Sequence, residues 1–575
     1  MKSFGCFLII LFFVFPSAAQ LTPFEKSNGK ESATYFQAIQ FYKELAKAST
    51  KIRIKKMGST DAGYALHLVM ISNDGKFDPM TWHKEKKVVI LVNNGIHPGE
   101  PDGIDASLLL VRDIVTQKIK IPDHVVLAVI PIYNIGGSLN RNRTSRANQN
   151  GPAEYGFRGN SQNLDLNRDF TKCDTKEAHS FTALFHWLDP DIMVDTHVSD
   201  GADYQHTMSL LTTQYNKLGD DLGSWLKNTF EPELYHKMSE KGWDMVPYVN
   251  FETAKPDSGM LQFYDPPRYS SGYASMFQTI GFMPETHMLK SFEQRVKSTF
   301  ALLQVIIQQA GINANDLVAK KKAARVAVQT GDKFPLAWKP DSSLYSMITF
   351  AGYEQAFKTS EATGKQMMFY DHSKPFSKQV KFFNVFTPEN IVHKPDAYII
   401  PQGWHDVVDL LKLNGVRVSE LMRDTTIEVS AFHIDELKSL PRAYEKHHKN
   451  YDVKGNWTLQ KIKFLKGDFI IHLNQASNRY CIEMLEPTGD DSFFAWNFFD
   501  AVLQQKEGYS DYRWEEVAAE VLRKDPELRK KLSERKKGDS SFEKNPSAQL
   551  EFIYKNSPYY EPVHLRYPVF RVERQ

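Results

Sequence analysis

Four short apolar runs organise the first 300 residues, and each stops at a residue able to do chemistry. Residues 88–92 lead into Asn93-Asn94-Gly95-Ile96-His97-Pro98-Gly99-Glu100, and 125–130 lead to Asn134. Residues 191–196 lead to His197, and 279–284 to Glu285. Runs of this length, bounded by Gly, Pro and Asn, predict strands buried on both faces. Between them the period changes. Tyr35, Ile39, Tyr42 and Leu45 recur on one face of a predicted helix over 32–48. Ile104, Leu108, Leu109, Val111 and Ile114 mark another, with Asp102 as its expected N-cap. Strands are expected at 52–54 and 64–70, and a long amphipathic helix closes at 304–309. This alternation predicts an α/β catalytic domain over 21–325. In open α/β sheets the ligand crevice lies beyond the carboxyl ends of the strands, where the polar residues fall.

The second half reads differently. Residues 396–401 predict a strand, 404–413 a helix and 415–418 a strand, so 326–450 is read as a small α/β segment. Residues 451–575 are read as a mixed, β-rich accessory domain in which 468–473 is the clearest strand and Trp496-Asn497-Phe498-Phe499 an apolar contributor. A charged helix is expected over 514–537 and a loop over 536–541. No internal repeat is visible.

At 575 residues the chain exceeds one compact core. Its 42% hydrophobic and 24% charged content are those of a folded globular protein, and a net charge of +2 does not suggest a nucleic-acid partner. Residues 1–19 read as a signal peptide: Lys2, an apolar core at 7–15, then Pro16-Ser17-Ala18-Ala19 before Gln20. No later run approaches a membrane span, so an exported protein without stable membrane insertion is expected, periplasmic or secreted. Only Cys173 and Cys481 follow the leader, which is no disulfide framework.

His97, Glu100 and His197 make a His₂Glu set, and three protein ligands with a fourth position left to water is the pattern of catalytic zinc. At this point the chain resembles the zinc carboxypeptidases, the funnelins, over roughly 33–310. His97-Pro98-Gly99-Glu100 is similar to that family's first ligand pair, and Asp195-Thr196-His197 to the strand end bearing the third ligand. Asn163-Leu164-Asp165-Leu166-Asn167-Arg168 resembles its substrate-clamp segment, and Met283-Pro284-Glu285-Thr286 its strand with the catalytic glutamate. The resemblance implies a mixed, mostly parallel sheet flanked by helices, one catalytic Zn²⁺, and a peptide substrate with a free C-terminal carboxylate.

It also implies roles. Glu285 is the general base; Asn167 and Arg168 grip the terminal carboxylate through a guanidinium fork; Arg158 meets the oxyanion, with Arg143 as the competing assignment. Asp195, two residues from His197 on a strand, shares its face and is a candidate to orient it. The tyrosine that covers the substrate has three candidates, Tyr264, Tyr269 and Tyr273, of which Tyr269 is taken, and Arg268 offers a second anion contact. Two alternatives stand beside peptide hydrolysis: a zinc amidase, deacylase or cell-wall peptide hydrolase on the same fold, and a catalytically dead binding protein.

Overall fold

The computed structural model describes residues 20–251 and 255–574; the expected leader at 1–19 lies outside the described residues. The chain forms two compact units, one running to Arg325 and including Pro340–Phe386, the other comprising Val326–Lys339 and the chain from Thr387 onward.

The first unit is built on a mixed sheet. Its strands are β1 (Ile52–Ser59), β2 (Ala65–Ile71), β3 (Val88–Asn93), β4 (Val125–Ile130), β5 (Ile192–Asp195), β6 (His197–Ser199), β7 (Met208–Thr212), β8 (Val246–Pro247) and, after the two-residue β9 (Met260–Leu261), β10 (Ile280–His287). The order is β1-β2-β4-β3-β5-β10-β7-β8, with β6 also paired to β10. β3 is parallel to β4 and β5, and β10 is parallel to β5 and β6. β1 and β2 run antiparallel to their neighbours, and β7 is antiparallel to β10 but parallel to β8. Every residue of β3 and β4 is buried, which is why these strands read as continuous apolar runs rather than alternating ones. Helices Tyr35–Ala48, Asp102–Val115 and Phe292–Ile312 contribute to a core shared with the sheet.

Register then does the work for the site. Asn93 lies opposite Asp195, and Glu285 opposite His197. Because β3, β5, β6 and β10 point the same way, the residues that follow or end them arrive at one edge of the sheet.

The Asp102 expectation needs correction. The N-cap of helix Asp102–Val115 is Pro101, and Asp102 is already helical. Its carboxylate instead takes hydrogen bonds from Arg295 Nε at 3.0 Å and the Thr286 hydroxyl at 2.5 Å. A buried guanidinium outcompetes the helix's own N–H groups for it. The unit also carries a long hairpin, Ser346–Thr359 with Gln366–Phe383, whose last residues pair with β9.

In the second unit a six-stranded antiparallel sheet runs Ser419–Glu420, Phe469–His472, Ala397–Ile400, Phe570–Val572, Thr425–Ser439, Asn450–Phe464. The tail strand Phe570–Val572 sits inside this sheet, where Arg571 meets the buried Glu486. Within the region read as β-rich, the chain turns helical at Asn478–Leu485. The expected single charged helix is two, Asp511–Lys524 and Pro526–Gly538, because Pro526 cannot continue the first. The expected loop at 536–541 is correspondingly shorter, as a new turn starts at Ser540. Cys173 and Cys481 are each buried free thiols.

Candidate active site

The turn after β3 delivers His97 and Glu100, and the start of β6 delivers His197. One donor atom from each lies within 4.8 Å of the others, and all three side chains are buried. The two imidazoles meet edge to face with centroids 4.9 Å apart. Each presents Nδ1 to Glu100 Oε2, His97 at 3.4 Å and His197 at 3.2 Å.

Each imidazole is held from behind through Nε2. His197 reaches Asp195 Oδ2 at 3.0 Å, and His97 reaches Asp165 Oδ1 at 2.9 Å. A carboxylate on the outer nitrogen fixes the ring and the tautomer and raises the basicity of the inner nitrogen. Asp195 was expected to do this. Asp165 was not given that task, although it lies in the clamp segment two residues before Asn167.

Glu100 is fixed just as firmly. Its Oε2 accepts from the Val198 N–H at 3.0 Å, and its Oε1 accepts from Arg146 at 2.7 Å. Burial raises the cost of its charge, but Arg146, His97 and His197 outweigh that and hold it well below the usual carboxylate range. Arg146 also donates to the Val198 carbonyl at 3.0 Å and to Gln149 at 2.6 Å. Its stem lies against Gly99, where a Cβ would approach Arg146 Cδ to 2.8 Å. That contact is a physical reason for glycine between Pro98 and Glu100.

These groups face a cleft of about 340 Å³ that also takes in Asn167, Arg168, Arg158, Tyr269 and Glu285. Arg158 is bonded to Asp165 at 2.9 Å and lies 3.6 Å from Glu100. Arg143 is not brought in: it is 72% exposed and paired with Glu154. Asn167 accepts from the Ser270 N–H at 3.3 Å, which ties the clamp segment to helix Ser270–Met276. Arg168 lies over the Tyr269 ring at 4.3 Å. Tyr273 is fully buried among aromatic residues and Tyr264 is not part of the cleft lining. Arg268, the suggested second anion contact, does not line it either. Several lining residues carry no signal in the sequence, among them Arg146 and Tyr248. The first is one of three arginines in a loop with no periodic pattern; the second follows a strand of only two residues.

Glu285 is half-buried at the strand end. Burial, with help from Glu100, pushes its carboxyl up to about 8 against the pull of His197, Arg146 and Arg158.

Residues 38–187 match the family model of the zinc carboxypeptidases. The matched stretch carries His97, Glu100, Asn167 and Arg168, so this part of the unit is similar to a family of peptide-hydrolysing zinc enzymes. Among curated proteins the chain is similar to carboxypeptidase 2 of Trichophyton tonsurans, 21% identical over 81% of this chain and 84% of that one. It is likewise similar to carboxypeptidase 2 of Trichophyton rubrum, 20% identical over 71% and 73%. Among solved structures, a metallo-carboxypeptidase from Burkholderia cenocepacia aligns with TM-score 0.37 and 14% identity, covering 48% of this chain and 70% of that one.

Proposed function

We propose that the protein is an exported zinc metallocarboxypeptidase that removes the C-terminal residue from peptides. The observation that carries this reading is the convergence of His97, Glu100 and His197 in the same cleft as Arg168, Asn167 and Glu285.

The donor set fits zinc. Two imidazole nitrogens and one carboxylate oxygen leave a position open, and both imidazoles have a carboxylate behind them. When bound there, zinc supplies Lewis acidity, acidifying a water and polarising the scissile carbonyl. Glu285 stands outside the ligand set at the end of β10. It takes a proton from the attacking water on a carboxylate oxygen and returns it to the leaving amine. Its pKa, raised by burial, suits a group that must both accept and release that proton near neutrality, and a divalent cation in the cleft favours its ionised form. Arg158 donates N–H groups where negative charge develops on the carbonyl oxygen. Asn167 and Arg168 hold the substrate's terminal carboxylate, and the Tyr269 ring, 4.3 Å from the Arg168 guanidinium carbon, helps to position it. Export rests on the sequence of residues 1–19; among the described residues no helix is long and apolar enough to cross a membrane.

The test is metal analysis of the purified protein combined with peptide release. About one zinc per chain is expected, with release of C-terminal residues from free-acid peptides, loss on chelation and recovery on zinc. Equal cleavage of amidated and free-acid peptides overturns the exopeptidase reading and leaves the amidase alternative.

A further inference from the structure

The two oxygens of Glu100 have different partners. Oε2 faces both imidazoles and accepts from the Val198 N–H. Oε1 accepts from Arg146 Nη1 at 2.7 Å, and Arg158 Nη1 approaches it to 3.6 Å. Metal binding alone does not ask for this division, since a carboxylate can offer a cation one oxygen or both.

Arg146 is fixed in place by the chain itself. Its loop is pinned where Asn142 pairs with Tyr155 and where the Gly156 N–H donates to the Pro98 carbonyl at 3.0 Å. Its Nη2 donates to the Val198 carbonyl at 3.0 Å and its Nε to Gln149 Oε1 at 2.6 Å. Gln149 in turn donates from Nε2 to the Gly99 carbonyl at 2.9 Å. All three guanidinium nitrogens are therefore engaged. Directly or through Gln149, they touch both stretches that carry the candidate ligands: the turn with His97 and Glu100, and the strand that begins at His197. The stem fills the space against Gly99, where a Cβ would collide with Arg146 Cδ at 2.8 Å.

We propose that Arg146 is a positioning residue that limits Glu100 to a single metal-binding oxygen, Oε2, and so keeps a coordination position open for the reaction. This rests on the carboxypeptidase reading above. The guanidinium competes for Oε1 through a charge-assisted hydrogen bond, the strong kind. It yields that oxygen only by giving up its bonds to Val198 and Gln149 as well, because its planar fork moves as one piece. Turning Glu100 so that both oxygens reach one ion breaks the Arg146 bond and pulls Oε2 from the Val198 N–H. Two imidazoles and one carboxylate oxygen are the three-ligand pattern that leaves the fourth position to water or substrate. A second oxygen from Glu100 would occupy that position.

Two measurements on the full chain test this. In a crystal structure of the zinc-loaded wild type, Oε2 is expected at about 2.0–2.2 Å from the metal, with Oε1 outside bonding distance and still on Arg146. In solution, cobalt(II) in place of zinc reports coordination number, because four-coordinate cobalt absorbs visible light more strongly than five-coordinate cobalt. Arg146→Met keeps a stem against Gly99 and removes every donor. Its cobalt absorption should fall at least about twofold as Oε1 joins the metal, coordination geometry being diagnostic. Arg146→Lys returns a cation to Oε1 and should recover most of that loss. Both Glu100 oxygens on the metal in the wild type, or equal cobalt spectra for wild type and metal-loaded Arg146→Met, overturns the assignment. The wild-type structure decides the matter even if Arg146→Met does not fold. Zinc held by other residues than His97, Glu100 and His197 overturns the metal site as well, whereas zinc on those three with both Glu100 oxygens bound overturns the role of Arg146 alone.

Discussion

As proposed ligands, the histidines in this cleft are already set in place, because their outer nitrogens are engaged. An imidazole free to rotate presents Nδ1 to the cleft only part of the time, whereas Asp165 and Asp195 hold His97 and His197 in place before any ion arrives. Removing one of these carboxylates leaves the ligand set intact and loosens it. Asp165→Asn and Asp195→Asn are each expected to weaken zinc binding by about 10–100-fold, read by competition against a chelator of known affinity. Glu285→Gln separates from them in kind: zinc stays bound while kcat falls at least about 10²-fold. Glu100→Gln should resemble the aspartates, since it removes a charged donor and lowers metal affinity first. Normal turnover by zinc-loaded Glu285→Gln would move the base elsewhere. The meeting of His97, Glu100, His197 and Glu285 in one cleft was legible in the sequence because each sits where an apolar run ends. Arg146 was not, because nothing local distinguishes it from Arg141 and Arg143. Only the fold brings Arg146 to Glu100 and leaves Arg143 facing Glu154 in solvent.

Among the elements, the strands buried on both faces were the easiest to read and helix Asp102–Val115 the most instructive. Its apolar stripe announced it, but its polar residues serve neighbours rather than the helix. Asp102 joins it to Arg295 and Thr286, and Asp105 accepts from the Ala33 N–H at 3.1 Å. The hairpin Ser346–Thr359/Gln366–Phe383 was missed for the opposite reason: much of it is exposed on both sides, so it lacks the alternation that marks a half-buried strand. Asp105 gives the helix a testable pH signature. Burial, with the Asp102 charge adding to it, pushes its carboxyl up to about 7, against the Ser32 and Ala33 contacts and Arg141. The unfolded chain releases this proton near pH 4, so between pH 4 and 7 the folded state binds the extra proton. Stability from this group is therefore full below pH 4 and is lost as pH rises through 7. Asp105→Asn keeps an acceptor for Ala33 and cannot ionise. Its stability relative to wild type should improve by about 1–3 kcal/mol between pH 5 and pH 8, measured by urea unfolding at both. An unchanged difference would mean Asp105 is ionised in the folded protein throughout.

For the whole molecule, the question is where the energy of metal binding is stored. The proposed donor atoms come from two separated stretches of one unit: the turn after β3, which carries His97 and Glu100, and the start of β6, with Glu285 paired to His197 in register. A ligand that binds only the folded state stabilises it by RT ln(1 + [L]/Kd), about 4 kcal/mol at a thousandfold excess over Kd. The same linkage applies to local openings, so an opening that separates the donors becomes rarer by a similar factor. The Val198 amide, bonded to Glu100 Oε2, reports this directly. Hydrogen exchange of the full chain with and without zinc should therefore slow by at least about tenfold around residues 93–100, 195–200 and 283–288. Strands Ala397–Ile400 and Phe469–His472 belong to the other unit and offer no donor to the set; their amides should not respond. Protection appearing there instead, with none at Val198, would place the metal outside the His97–Glu100–His197 cleft, and the catalytic reading of that cleft would go with it.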